Sequence, residues 1–247
     1  MISVFLCGIF FSVAPAYCEG EPSVSGGAAE EDPYLDPFEG KALESQKKTE
    51  LADPLEKLNR NIYGINDFFY FNVLKPAAGG YKSVTPRIIR KSVRNFFTNI
   101  LEPVYFLNSI LQRKPEDAQS AFRRFLVNST IGIGGLFDPA KKPTEPMKRS
   151  FDQTFAKWGA RPGFYIVWPL VGSSSFLRGT FGLIGEKAMD PFNYGRTGVA
   201  VGSSVLESVN ETSFQIGAYE DVKKYSVDSY SALKDIYEKQ IYKKSQE

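Results

Sequence analysis

The side chains able to carry chemistry in this chain are carboxylates and cations. Its 247 residues contain no histidine, which removes Ser-His-Asp and Cys-His nucleophiles and every zinc site that needs an imidazole. The two cysteines, Cys7 and Cys18, both fall in the first 18 residues, so no disulfide framework or cysteine-rich metal site spans the body. Catalysis would have to rest on carboxylates, lysine or tyrosine. The candidate acids Glu102, Asp138, Asp152 and Asp190 are scattered along the sequence. Asp138 and Asp190 each precede a proline, a pairing that serves turns and helix caps more often than catalysis. Asn95 and Asn128 sit inside apolar runs, where backbone hydrogen bonding in a turn is the expected role.

Two glycine clusters fail as nucleotide motifs. Gly132-x-Gly134-Gly135 has Phe137 where a dinucleotide fingerprint needs its last glycine, and no strand-turn-helix pattern surrounds it. Gly80-Tyr81-Lys82-Ser83 lacks the glycine directly before the lysine of a phosphate loop. No cofactor or metal is implied. The strongest charge pattern is a basic stripe, Arg87, Arg90, Lys91 and Arg94, beside an apolar face of Ile89, Val93, Phe96, Phe97 and Ile100. This suits a helix at a membrane interface, and equally a solvated face whose arginines pair with acids elsewhere. Nucleic acid is discounted as a partner, because the chain opens like a secreted one.

The elements that carry these residues follow from punctuation and periodicity. Residues 1–18 are uncharged and mostly apolar, and read as a secretory signal. The absence of an initial Lys or Arg leaves the true start of the chain open upstream. Ala14-Pro15-Ala16 fits cleavage before Tyr17; Cys18 alternatively offers a lipidation site, although Tyr17 is bulkier than the small residue that normally precedes one. Residues 19–50 form an acidic linker. Seven acids and no base lie between Glu19 and Glu39, so with a formal net charge of +2 overall, +9 remains on the rest of the chain. A basic body favours an anionic partner.

The body, 51–243, predicts one mainly helical domain. Asp53-Pro54-x-Glu56 looks like a capped start, followed by a stripe of Leu55, Leu58, Ile62, Ile65 and Phe69. Past Ile65 the run Phe68-Phe69-Tyr70-Phe71 is apolar around most of the circumference, which means burial or lipid contact. Further helices start at Thr85-Pro86 and Pro115. The second of these runs into Arg124–Ala140, uncharged between Phe125 and Phe137, with Gly132, Gly134 and Gly135 close together. That segment is shorter than the roughly 20 apolar residues of a membrane span. It reads as a buried turn between core helices or as a hairpin dipping into an apolar medium. Phe164–Trp168 predicts an extended stretch before a turn, residues 188–218 have no clear assignment, and Val222, Tyr230, Leu233, Tyr237 and Ile241 predict one terminal helix.

Taken in order, several pieces resemble one family, the MlaA (VacJ) lipoproteins of the Gram-negative outer membrane. They are DPLEKLNRNIY at 53–63, VLKP at 73–76, NFFTN at 95–99, LEP at 101–103 and Asn108. RFLVNSTIGIGGLFDPA follows at 124–140, with FDQTFAKWG at 151–159, GFYIVWP at 163–169, GSSSFLRG at 172–179, Asp190-Pro191 and YSALKDIY at 230–237. Two positions depart from the family pattern: Phe164 where proline is usual, and Gly179 where an acid is usual.

The resemblance implies a ring or disc of amphipathic helices, with a glycine-rich helical hairpin and a central channel, lying in the inner leaflet of the outer membrane. It implies no enzyme and no cofactor, but removal of mislocalised phospholipid from the outer leaflet, beside a trimeric porin and toward a periplasmic lipid-carrier protein. On that basis Phe68, Phe69, Phe71, Asn128, Ile131, Gly132, Gly134, Gly135, Phe137 and Asp138 are expected to meet lipid or shape the channel. Arg87, Arg90, Lys91 and Arg94 are expected to meet headgroups. A carboxylate-dependent periplasmic hydrolase and a structural porin anchor are the alternatives.

Overall fold

Pro86 fixes the start of the longest helix. The computed structural model describes residues 51–141 and 148–246. The signal-like segment with Cys18, the linker 19–50 and residues 142–147 lie outside them. Helix α1 (Glu56–Phe69) runs through a π-helical turn, Tyr70–Leu74, into α2 (Lys75–Val84). Thr85 is extended, as a residue before proline must be, and α3 (Arg87–Leu111) then continues for 25 residues with Pro103 inside it. Arg113, at φ 58°, reverses the chain, and Pro115 opens α4 (Pro115–Thr130) with Glu116 and Asp117 in its first turn, where acids complement the helix dipole. α3 and α4 form the most extensive helix pair.

After a short 3-10 turn (Pro139–Lys141) come α5 (Phe151–Lys157), with a Ser150–Gln153 capping box, and a two-stranded antiparallel hairpin. Strand β1 (Tyr165–Trp168) pairs with β2 (Gly172–Ser175) in the register Tyr165↔Ser175. Helices α6 (Arg178–Met189), α7 (Thr197–Gln215), α8 (Ala218–Tyr225) and α9 (Ser229–Gln246) complete the chain. The predicted terminal helix is therefore two. Asp228 divides them by accepting from the Tyr230 amide and the Ser231 hydroxyl, which leaves Val222 on α8 and the other stripe residues on α9. The unassigned region 188–218 is mostly α7, whose Ala200, Ser204, Ser208 and Thr212 are buried at four-residue spacing. These small side chains let α7 lie close against α2 and α3.

The predicted capping role of Asp53 is also corrected. Its carboxylate accepts from Asn59 Nδ2 at 2.8 Å and from the Tyr230 hydroxyl, while the α1 N-cap position falls on Leu55 without a side-chain cap. Asn59, fully buried, then treats β1 as a neighbouring strand would. Its amide donates to Tyr165 O (3.2 Å) and its oxygen accepts from Val167 N (2.9 Å). Two turns on, Asn66 repeats the pattern with Trp168 O (3.0 Å) and Leu170 N (2.6 Å). The free edge of β1 is thus satisfied by a helix, as a buried strand edge requires.

The packing is inverted relative to that of a water-soluble domain. Among the described residues 16 buried side chains are hydrophobic and 21 are polar or charged, whereas 27 large hydrophobic side chains are exposed. In α1 the apolar stripe is divided: Leu58 and Ile65, with the neighbouring Phe68, are 50%, 58% and 67% exposed, whereas Ile62 packs half-buried against a small core of Leu51, Tyr165, Val167, Tyr230 and Ile241, and Asn59 faces in. Scattered exposed apolar residues are ordinary, but faces of this extent mark a surface made for an apolar or partner environment. No helix among the described residues is long and apolar enough to cross a membrane.

Candidate functional site

α4 ends at Thr130, and the glycine segment that follows is a run of turns rather than a pair of helices. Its backbone closes on itself: Gly134 N donates to Ser129 O, Gly135 N to Asn128 O (2.8 Å) and Phe137 N to Gly132 O (3.0 Å). Two glycines are dictated by space. A Cβ on Gly132 would lie 2.5 Å from both Asn128 O and Phe137 O, and one on Gly135 would lie 2.4 Å from Asn99 Cβ of α3. Gly135 also holds φ at +90°, a conformation that costs an L-residue. The turns thereby press against α3 while their side chains point away: Ile131 is 71% and Ile133 64% exposed, and Leu136 and Phe137 are exposed too.

Beneath this apolar tip lies a buried polar latch. Arg124 of α4, 3% exposed, donates from Nε to Glu102 Oε1 of α3 at 2.8 Å. Its other end reaches Asp138 at 3.1 and 3.3 Å. Asn128 donates to Asp138 Oδ1 (2.9 Å) and accepts from Ala140 N (3.2 Å), and Asn99 donates to the Ser129 hydroxyl (3.0 Å). Burial pushes the Glu102 carboxyl above the ordinary carboxylate range, and the Arg124 guanidinium opposes that rise. Two of the acids that look scattered in sequence, Glu102 and Asp138, therefore meet on one arginine. Asp138 does not cap the 3-10 turn with its side chain, whereas Asp190 does cap the next, accepting from Phe192 N at 3.0 Å. Asp152 is taken by Arg178 at 2.7 Å. Each of these acids is committed to structure, and among the described residues no cluster of acids or cysteines could hold a metal.

The other predicted site residues are dispersed. Phe68 is exposed, Phe69 and Phe71 are half-buried, and Phe71 lies between the ammonium groups of Lys75 (5.2 Å) and Lys223 (4.7 Å). The basic stripe splits. Arg90 is buried and donates to Ser213 O and Oγ, and Arg94 forms a two-point pair with Glu211 of α7 at 2.9 and 3.0 Å. Both guanidinium groups stack on Phe214. These two arginines dock α3 on α7, while Arg87 and Lys91 remain exposed. Arg124 is absent from the predicted site, and Glu102 enters the sequence reading only as one of four scattered acids.

These features meet known proteins at the level of family. The model of the MlaA lipoprotein family matches residues 51–244. The chain belongs to the MlaA lipoprotein family. It is 30% identical over 197 residues to the intermembrane phospholipid transport system lipoproteins MlaA of Shigella flexneri and Escherichia coli K12, covering 75% of each chain. An uncharacterised protein of Rickettsia felis is 30% identical over 236 residues, 95% of this chain and 88% of that one. A solved structure described as the structural basis for maintenance of bacterial outer membrane lipid asymmetry matches with a TM-score of 0.70 and 25% identity, covering 78% of this chain and 99% of its own. MlaA proteins are transport lipoproteins and not enzymes, which excludes the carboxylate-dependent hydrolase.

Proposed function

We propose that this MlaA-family chain is the outer-membrane component of an intermembrane phospholipid transport system. On this reading it lies on the periplasmic side, embedded in the inner leaflet, with its helices arranged as a ring around an amphipathic channel. It takes mislocalised phospholipid from the outer leaflet and passes it to a periplasmic lipid-carrier protein, beside a trimeric porin. The observation that carries the proposal is the inverted packing: apolar faces of α1 and of the 131–137 turns outside, polar network inside. In water such faces are costly, at about 25 cal/mol per Å² of apolar surface; in acyl chains they cost nothing. Transport of this kind needs no covalent step, only a low-barrier route for a polar headgroup, which agrees with a site built from structural ion pairs.

The test is a Gram-negative strain lacking its own MlaA protein and complemented with this chain. Phospholipid exposed on the cell surface should fall toward the wild-type level, and the purified protein should carry phospholipid. Complementation without bound lipid would favour a porin-organising anchor, and failure of both would remove the proposal.

A further inference from the structure

A groove of about 540 Å³ runs along α4, from Glu116 in its first turn to Ala140 beside the latch. We propose that it binds the phosphate of a phospholipid headgroup, with Arg123 as the principal contact, an inference that rests on the transport reading above. The volume falls within the roughly 300–1,000 Å³ typical of small-molecule sites. Arg94, Arg124, Arg149 and Arg178 each grip a carboxylate. Arg123 is exposed and has no ion-pair partner among the described residues, so its charge is available to an incoming anion. Gln119 and Ser120, one turn earlier and lining the same groove, add an amide and a hydroxyl donor. The neighbouring Phe122 and Leu126, 49% and 46% exposed, supply an apolar wall.

A planar guanidinium beside donors suits a phosphate, and the hydrocarbon wall suits a phosphate that carries acyl chains. Glu116 also lines the groove, but lies seven residues away, about 10 Å along the helix axis. It disfavours a second anion at that end without reaching the first. Arg124 forms part of the lining as well, with its charge already balanced by Glu102 and Asp138.

The experiment measures binding of dihexanoylphosphatidylethanolamine to the full chain in nonionic detergent. That zwitterionic probe avoids simple attraction to a basic protein. Dihexanoylglycerol, which lacks the phosphate, and inorganic phosphate are the comparison ligands. R123Q is expected to weaken binding of the phospholipid at least tenfold and to leave dihexanoylglycerol unchanged. R123K should recover part of the loss, and R161Q, at an exposed arginine in the loop before β1, should have no effect. Equal losses in R123Q and R161Q, or none in R123Q, would overturn the site. Inorganic phosphate binding as tightly as the phospholipid would overturn its assignment to a lipid headgroup. If the native chain binds no phospholipid, the transport reading fails; if it does and R123Q is indifferent, the groove alone fails.

Discussion

At the scale of single residues the latch is the most consequential feature, because it places charge where water is absent. Removing Arg124 leaves Glu102, 1% exposed, without its counter-charge, and breaking a buried pair in this way typically costs about 3–5 kcal/mol. R124Q should therefore lower the urea midpoint strongly at pH 7. The sign of its pH dependence follows from Glu102. A carboxyl whose folded pKa is raised binds its proton more tightly in the folded state. Stability is then fully present below the ordinary carboxylate range and is lost as pH rises through the raised value. Without Arg124 that value rises further, so R124Q should recover stability between pH 7 and pH 5, and an unchanged deficit would count against this account. The glycines make a second, separable prediction. G135A suffers both the close approach to Asn99 and a positive φ, whereas Gly134, at φ +68°, has open space around its Cβ position. G134A should cost about 1–2 kcal/mol from backbone conformation alone, and G135A measurably more in the same urea titration.

Among elements, α1 shows what the sequence discloses and what it withholds. Its three- and four-residue periodicity identifies a helix, but periodicity says only that two faces differ and not which one turns inward. Asn59 and Asn66 decide that, because each can serve both a carbonyl and an amide of β1, and no aliphatic side chain can. The same reason explains why α7 was illegible: its buried stripe of Ala200, Ser204, Ser208 and Thr212 carries almost no hydrophobic contrast. Prolines were the reliable signals, with Pro86 and Pro115 marking two starts through a fixed φ and a missing N–H. In the site, the glycine turns could be read from composition. The Arg124 latch could not, since Glu102 and Asp138 approach it from sequence distances of 22 and 14 residues. The Asn59 bridge has its own test. N59A should leave the Tyr165 carbonyl and Val167 amide unpaired, at about 1–3 kcal/mol for each unsatisfied group. Hydrogen exchange at Val167 should accelerate well beyond exchange in α3.

For the whole molecule, inverted packing separates what holds the fold together from what holds it in place. The interior is ordered by ion pairs, amide bridges and a small apolar cluster around Tyr165 and Tyr230, so its stability should be insensitive to substitutions on the outward faces. Those faces should instead govern where the protein resides. Ile131 and Ile133, 71% and 64% exposed at the tip of the glycine turns, offer the cleanest separation, because most of each residue lies outside the packed interior. Ile133 holds φ at +53°, a conformation that aspartate adopts more readily than a β-branched residue, so the substitution there adds no backbone strain. Full transfer of an isoleucine side chain out of water contributes about 1.5–3 kcal/mol, so replacing both with aspartate should remove at least 3 kcal/mol of lipid affinity, roughly a hundredfold in partitioning. Flotation with phospholipid vesicles should show the I131D/I133D chain shifted to the soluble fraction, with its urea midpoint within about 0.5 kcal/mol of the parent, as expected for substitutions on an exposed surface. Unchanged flotation would mean that these turns do not enter lipid. A large loss of stability would mean that they are packed against the protein after all.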